Sequence, residues 1–431
     1  MTVRQVFFWL HLVAGLIAGV SIGIMCFTGT ALAFEPEIVG WAERDARRVV
    51  PPADLSARLP LETLQRKLRE AQPEFRPAGV TLQNDPAAAV VFSAGRDGGF
   101  YVNPYSGEVR QPASTKMRDF MQVMTDWHRY LALAGDHRPL GKLINGICNL
   151  AFCALALTGL YLWWPRSFTW RSVQAVALLN WRLGGKARDF NWHNVIGLWS
   201  APILIVLTLT AVPISFRWGG NMIYQLTGEE APAQAGPAAA SAVPAVEIKR
   251  PTPDARPLSY DAIVARAQQD FPRWETLSLH SGGQQRGQRL GPAAQTGAAA
   301  TPPREGDASA PIQNRDSKIE NSTARAAPQP LTFTIREAGS WPRTATTTLT
   351  LNPYTGETLS RTGYADLSAA RGIRSWTRFL HTGQALGWGG QLAAGLACLG
   401  GCFLIYTGFA LSWRRFFSRP AKLPPNGTMP L

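Results

Sequence analysis

The sequence is poor in cysteine, and its few cysteines exclude a disulfide framework. Five occur among 431 residues, all of them inside apolar runs, and none belongs to a CxxC pair or to the CxxCH pattern of covalent haem attachment. We interpret them as small apolar side chains of buried helices, which is a common role of free cysteine. They are Cys26, Cys148, Cys153, Cys398 and Cys402.

Acidic residues are also scarce. The sequence has 29 Asp and Glu against 43 Lys and Arg, which gives a formal net charge of +14. In a soluble chain this excess would indicate nucleic-acid binding. Here 46% of the residues are apolar and many lie in long runs, so the basic bias of cytoplasmic loops and attraction to anionic lipid explain the charge better. The expected partner is a lipid bilayer and not a nucleic acid.

Patterns of nucleophilic or acid–base catalysis are missing too. No spacing of Ser, His and Asp typical of a hydrolase is apparent. The glycines of 282–291 follow no clear strand and precede no helix, so they are not a dinucleotide fingerprint. We therefore assign no catalytic side chain.

Four apolar runs are each long enough to cross a hydrocarbon core, which takes about 20 residues. They cover 5–34, 141–164, 193–216 and 384–413. The loop at 165–190 carries five basic residues against the single acid Asp189, and the positive-inside bias places it in the cytoplasm together with both termini. The arginines of 371–378 pull the other way, but they come after a long segment, which contributes little to orientation. Within the loop, residues 170–181 are predicted to form an interfacial helix.

Two halves of the chain repeat the same order of elements. Trp9-Leu10-His11 and Trp192-His193 begin the first and third runs, and in both a Gly comes four residues after the His and a Thr seventeen residues after it. The second and fourth runs both end in Thr-Gly. A turn of sequence Asn-Pro-Tyr-Ser/Thr-Gly-Glu occurs at 103–108 and again at 352–357.

Each half also contains a polar segment with the pattern of a small α+β domain. The helices are predicted at 60–71 and 258–271. The strands are predicted at 78–84, 87–93, 99–103, 331–337 and 344–351. Residues 231–257 and 281–330 are rich in Ala, Pro, Gly and Gln, bury little apolar surface, and are predicted to be linkers or disordered.

Histidine is rare, with six residues, yet four of them are predicted to fall at matched depths. His11 and His193 lie near the cytoplasmic end of the spans, and His128 and His381 lie near the periplasmic end. Facing imidazoles from two helices are the usual axial ligands of b-type haem. We predict one haem b held by His11 and His193 and a second held by His128 and His381. His137 is the alternative to His128, which is preferred because it sits on an apolar-rich helix.

Threonines and glycines complete the two predicted layers. Seventeen residues of helix rise about 25 Å, which brings Thr28 and Thr210 to the periplasmic layer. The same count brings Thr158-Gly159 and Thr407-Gly408 to the cytoplasmic layer, where small residues leave room for a flat ring. Two other interpretations stay open: the histidines only bond neighbouring helices, or the pairs bind a non-haem metal. His280, beside the low-complexity segment, is predicted to be a solvated surface residue.

These motifs together resemble the PepSY-associated transmembrane family. The matching stretches are Trp9-Leu10-His11 with Thr28-Gly29, the turn at 103–108, Trp127-His128-Arg129-Tyr130-Leu131, the stretch 192–199, and Leu380-His381-Thr382-Gly383. They span nearly the whole chain outside the two low-complexity segments, and the segment 281–330 departs from the pattern.

The resemblance implies a bacterial inner-membrane ferric-siderophore reductase with two haem b groups per chain. Its periplasmic acceptor would be a ferric siderophore or another ferric chelate. Some relatives carry a fused flavin and nicotinamide reductase domain, and this sequence shows none, so the expected electron donor is a cytoplasmic reductase or a membrane quinol. Two alternatives remain: a quinone-linked cytochrome b with another acceptor, and a haem-free PepSY membrane protein that binds peptides or regulates.

The predicted fold class is membrane α plus periplasmic α+β, in the form of a four-transmembrane-helix bundle of two pseudo-repeats with two PepSY-like periplasmic domains. The expected segments are transmembrane helix 1 (1–35), PepSY-like domain 1 (36–125), a periplasmic helix with transmembrane helix 2 (126–165), a cytoplasmic basic loop (166–190), transmembrane helix 3 (191–217), PepSY-like domain 2 (218–375), transmembrane helix 4 (376–415) and a cytoplasmic tail (416–431).

Overall fold

A computed structural model describes residues 1–93, 99–164, 169–232, 250–252, 254–280 and 329–417, together with Ile248. Most of the predicted linkers 231–257 and 281–330, and most of the tail, lie outside the described residues. Within the described residues the α-helices are α1 (Val3–Leu32), α2 (Glu35–Ala42), α3 (Arg44–Arg47), α4 (Leu61–Ala71), α5 (Lys116–Tyr130), α6 (Arg138–Trp163), α7 (Trp170–Ala177), α8 (Gly185–Ser215), α9 (Arg217–Thr227), α10 (Tyr260–Asp270), α11 (Ala369–His381) and α12 (Gly387–Phe416). The strands are β1 (Gly79–Gln83), β2 (Val90–Ser93), β3 (Gly99–Val102), β4 (Val109–Arg110), β5 (Trp274–His280), β6 (Leu331–Glu337), β7 (Thr347–Leu351) and β8 (Thr358–Thr362).

The helices α1, α6, α8 and α12 have the length and apolar composition of membrane spans. All four predicted runs are thus confirmed as helices. The main difference is at α8, which begins at Gly185, eight residues before the apolar run. Its first turns carry Lys186, Arg188 and Asp189. Charged side chains do not break a helix, so α8 continues beyond the hydrocarbon region.

The four spans form a ring in which α1 and α8 each pack against both α6 and α12. One buried apolar cluster around Ile22 joins α1, α6 and α12. A second, around Leu204, joins α8 and α12, and Phe152 of α6 packs against both clusters. The outer side of α1 is apolar and exposed, with Ile17 at 80%, as expected for a surface in contact with lipid.

Within the predicted stretch 170–181 a helix is present as α7, which ends at Ala177 and packs beside α6 and α8. Trp163 Nε1 donates a hydrogen bond to Val176 O, and Trp199 Nε1 donates one to Ala177 O, both at 3.0 Å. We call this end of the bundle the loop end, and the opposite end, next to the strands, the sheet end.

The two polar segments, predicted as two separate domains, form a single antiparallel sheet of eight strands. Its order is β4-β3-β2-β1-β5-β6-β7-β8. β1 of the first half pairs with β5 of the second, from Gly79 opposite His280 to Gln83 opposite Thr276. Each of these is the edge strand of its own half, and the pairing satisfies backbone groups that a separate half would leave open. α4 and α10 cover one face and share one apolar core with the strands, so the two predicted PepSY-like segments share one sheet and one core.

The N-termini of α4 and α10 cap each other. The Asp261 carboxylate accepts from the Leu61 N–H at 2.9 Å, and the Glu62 carboxylate accepts from the Tyr260 N–H. Leu61 and Glu62 hold the same places in α4 that Tyr260 and Asp261 hold in α10, so the exchange is two-fold symmetric. Together with the β1–β5 pairing, it defines a pseudo-two-fold axis between the halves.

The repeated Asn-Pro-Tyr motif forms the same turn in both halves. The side-chain oxygens of Asn103 and Asn352 accept from the backbone N–H two residues on, at 2.9 Å in each case. Gly107 and Gly356 have positive φ angles of 73° and 68°, which glycine adopts without strain. The motif therefore holds a turn, and no chemical role needs to be assigned to it.

Glu43, between α2 and α3, ties the sheet to α5. Its side chain is 1% exposed and accepts hydrogen bonds from Arg118 of α5 at 2.7 Å, Arg47 at 2.8 Å and Tyr101 of β3 at 2.9 Å. Burial raises the pKa of Glu43, but the hydrogen bonds outweigh it and hold the pKa below its usual value. Glu43 therefore holds α5 in place against the sheet.

Candidate functional site

Four histidines form two facing pairs, one toward each end of the bundle. His11 of α1 and His193 of α8 lie toward the loop end, with ring centres 6.4 Å apart and planes at 83°. His128 of α5 and His381, the last residue of α11, lie toward the sheet end, with centres 6.2 Å apart and planes at 51°. Each pair takes one histidine from each half, so the structure brings together the four residues that the sequence paired.

A threonine from the same half contacts the Nδ1 atom of each histidine. The distances are 2.9 Å for Thr158 to His11, 2.9 Å for Thr407 to His193, 2.9 Å for Thr28 to His128 and 3.4 Å for Thr210 to His381. The sequence predicted the depth of these four threonines but not their hydrogen bonds.

These contacts determine which ring nitrogen carries the proton. Each threonine hydroxyl donates to the carbonyl four residues earlier in its own helix, for example Thr407 Oγ1 to Phe403 O at 2.7 Å. Its oxygen is then left to accept from Nδ1–H. At the sheet end, Nδ1 also lies 3.1 Å from Met25 O and 2.9 Å from Leu207 O, and a carbonyl can only accept. All four imidazoles are therefore assigned as Nδ1–H tautomers with an unprotonated Nε2.

The two imidazoles of a pair are too far apart to bond to each other. A ring nitrogen lies roughly 1.1 Å from the ring centre, so centres 6.2 and 6.4 Å apart leave at least about 4 Å between nitrogens. A hydrogen bond needs about 3 Å. Imidazole binds metals at about 2 Å, so one metal ion between two rings fits the observed spacing.

The donor set fits haem iron. A pair offers two imidazoles, whereas structural zinc usually takes four protein ligands, and no cluster of three or more His, Cys, Asp or Glu suited to a metal forms among the described residues. Two histidines from facing helices are the residues that would hold a haem iron here. Glycines also leave room beside the rings: a Cβ on Gly159 would lie 3.4 Å from His11 Cε1, and one on Gly29 would lie 3.4 Å from His128 Cε1.

Burial disfavours the charged form of the sheet-end histidines. It lowers the pKa of His128 to about 4, with the neighbouring His381 acting in the same direction. It also lowers the pKa of His381. Neutral imidazole is the form that ligates a metal.

His128 reaches the bundle because the chain reverses sharply after α5. Leu131 and Ala132 have positive φ angles of 52° and 56°, which are uncommon for residues other than glycine. The Asn145 side chain of α6 then donates to the His128 carbonyl at 2.7 Å. His137 instead lies exposed in a short turn before α6, so the preferred residue, and not the alternative, occupies the pair.

His280 lies apart from both pairs, at the exposed end of β5. Its Nε2 atom is 3.3 Å from Thr334 Oγ1 on the neighbouring strand. The structure thus places it on the sheet surface.

Sequence reasoning missed a buried charge cluster near the loop-end pair. Asp189 lies one turn before His193, its side chain is 1% exposed, and it forms ion pairs with Arg188 at 3.0 Å and Arg414 of α12 at 3.1 Å. The available signal was a single acid in an otherwise basic loop. The cluster joins α8 to α12 and so supports the helices that carry His193 and Thr407.

A family model described as the PepSY-associated TM region matches residues 8–415. That range includes both histidine pairs and the sheet. No curated protein matches the chain.

Proposed function

Because the chain belongs to the PepSY-associated transmembrane family, we propose that it is a dihaem b-type oxidoreductase of the bacterial inner membrane. Its acceptors would be ferric chelates, such as ferric siderophores, in the periplasm. The observation that carries the proposal is the two facing histidine pairs, in which each Nδ1 contacts an oxygen acceptor, so that Nε2 is assigned as unprotonated. A haem b in each pair would supply one-electron redox chemistry between the two sides of the membrane.

The chain's own residues hold, orient and space the ligands. The threonines keep the proton on Nδ1, which fixes ring orientation and raises the basicity of Nε2, as hydrogen-bond partners of metal-bound histidines do. The apolar clusters around Ile22 and Leu204 lie between the two layers and exclude water.

The charge distribution supports an orientation with the loop end in the cytoplasm. The described part of the basic loop exposes Arg171, Arg182 and Lys186, while Asp189 is buried in ion pairs. This is the bias expected of a cytoplasmic loop. Both termini would then be cytoplasmic, the sheet would be periplasmic, and the donor would be a cytoplasmic reductase or a membrane quinol.

A reduced-minus-oxidised spectrum with a pyridine haemochrome assay on the purified protein tests the proposal. We expect about two haem b per chain. His193→Ala and His381→Ala should each remove about one of them. The matched controls His137→Ala and His280→Ala remove histidines outside the pairs and should retain both. Colourless wild-type protein would refute the proposal and favour a haem-free peptide-binding or regulatory protein.

Reoxidation kinetics test the acceptor. Chemically reduced protein mixed with a ferric siderophore should reoxidise faster than in buffer, with ferrous iron appearing in proportion. Haem-containing protein that a ferric chelate does not reoxidise would contradict the acceptor assignment and favour a quinone-linked cytochrome b with another acceptor.

A further inference from the structure

The two halves differ in charge at the sheet end, although they match in structure. The packed helices α9 and α11 contain four arginines and no acidic residue, and the nearby Glu229, just after α9, is engaged by Ser368 and the Ala370 N–H at the start of α11. The corresponding helices of the first half, α2 and α5, contain three basic and four acidic residues. Electron transfer between the two histidine pairs would not require this difference in charge between the halves.

The extra charge lies on the helix that carries a sheet-end histidine. When His381 is aligned with His128, Arg374 corresponds to Met121 and Arg378 to Thr125. Both arginines are exposed. Arg374 lies over the Tyr224 ring at 5.7 Å, Arg378 lies over Phe379 at 5.6 Å, and neither has a carboxylate partner in the part of the chain that the structure describes.

Membrane topology does not account for these arginines. With the sheet end in the periplasm, the positive-inside bias gives no reason for basic residues at this place. The exposed guanidinium groups of Arg378 and Arg374 lie one and two turns before His381. Such groups attract an anionic molecule over a distance and bind its paired oxygens.

We propose that the α9–α11 surface selects ferric chelates of net negative charge, in which catecholate or carboxylate oxygens hold the iron, over neutral trihydroxamate chelates. The inference rests on the proposed function for the electron transfer to a bound chelate, but the binding itself needs only the surface. Arg378, one turn before His381, would hold such a chelate beside the sheet-end pair.

Binding of redox-inert gallium(III) complexes tests this selection in the full-length protein, held in nanodiscs of neutral lipid. The probes are gallium tris-catecholate, which is anionic, and a gallium trihydroxamate, which is neutral. We expect the wild type to bind the anionic complex at least about tenfold more tightly, with an affinity that falls as salt rises. Arg374→Gln with Arg378→Gln should remove the preference, and Arg374→Lys with Arg378→Lys should largely retain it.

The matched control is Lys116→Gln with Arg129→Gln, which removes two exposed cations from α5 and should leave the preference intact. Equal affinity of the wild type for both complexes, or an equal loss in the control, would overturn the inference. Displacement of the anionic complex by phosphatidylglycerol in the nanodisc would assign the surface to lipid and overturn it as well. Gallium is not reduced, so this outcome is independent of the haem assay: absent haem refutes the proposed function alone, and absent charge selection refutes this inference alone.

Discussion

Replacing Thr407 by valine is expected to weaken cofactor retention in the loop-end pair while leaving the fold intact. The Thr407 side chain is fully buried, and its oxygen is the acceptor for His193 Nδ1–H at 2.9 Å. Valine has nearly the same shape but no acceptor. A buried N–H left without a partner costs about 1–3 kcal/mol, which agrees with the roughly 10–100-fold loss typical when a hydrogen-bond partner of a metal-bound histidine is removed.

The equivalent substitutions should fall in a defined order. Thr158→Val should match Thr407→Val, because His11 likewise has one threonine acceptor at 2.9 Å. Thr28→Val should have a smaller effect, because His128 Nδ1 also lies 3.1 Å from a carbonyl. Thr210→Val should have the smallest, because that contact is 3.4 Å and the carbonyl is closer, at 2.9 Å.

Haem content and transfer to apomyoglobin, measured for each variant, provide the assay. The circular dichroism of each variant should match that of the wild type. Equal effects at all four positions, or a larger effect of Thr210→Val than of Thr407→Val, would refute the assigned tautomers.

Three further predictions concern the sheet and the ring geometry. Glu43→Gln should destabilise the sheet end by about 1–3 kcal/mol in thermal unfolding. Because hydrogen bonds lower the pKa of Glu43, its contribution to the free energy of unfolding is present above the ordinary pKa of 4.5 and is lost as the pH falls through the lowered pKa. A Glu43→Gln variant whose stability falls in acid as steeply as that of the wild type would contradict this. Burial, together with the nearby Asp261, raises the pKa of Glu62, so the wild type loses stability as pH rises above 4.5 and Glu62→Gln should raise the melting temperature at neutral pH; a lowered melting temperature would contradict this. Ring planes at 83° and 51° predict two distinguishable low-spin ferric signals in electron paramagnetic resonance, and identical signals would be inconsistent with the two geometries.

Patterns in the sequence predicted the spans and the two facing histidine pairs. Membrane-length apolar runs are local signals, and the spacing of seventeen residues from His to Thr converts directly into depth on a helix. The strands β1, β2, β3, β6 and β7 and the helices α4 and α10 were also predicted. The spans, strands and helices depend on residues close together in the chain, whereas the histidine pairing followed from the matched depths of the two repeated halves.

The features that sequence reasoning missed depend on contacts between distant residues. The pairing of β1 with β5 joins segments about 200 residues apart in the chain, and β5 itself adjoins the low-complexity segment that obscured its pattern. The return of His128 to the bundle depends on Leu131 and Ala132 in a left-handed conformation, which composition does not signal. The threonine hydrogen bonds require the relative rotation of two helices, which spacing along one helix cannot give.

The sharing of each histidine pair between the two halves constrains the order of biosynthesis. A nascent chain has no complete ligand pair until residue 193 has been made, and it lacks the second pair until residue 381 has been made. The proposed haem of the loop end could therefore not be held before residue 193 has been made and α1 and α8 have associated, that of the sheet end not before residue 381, and a fragment truncated after the second span would lack both histidine pairs.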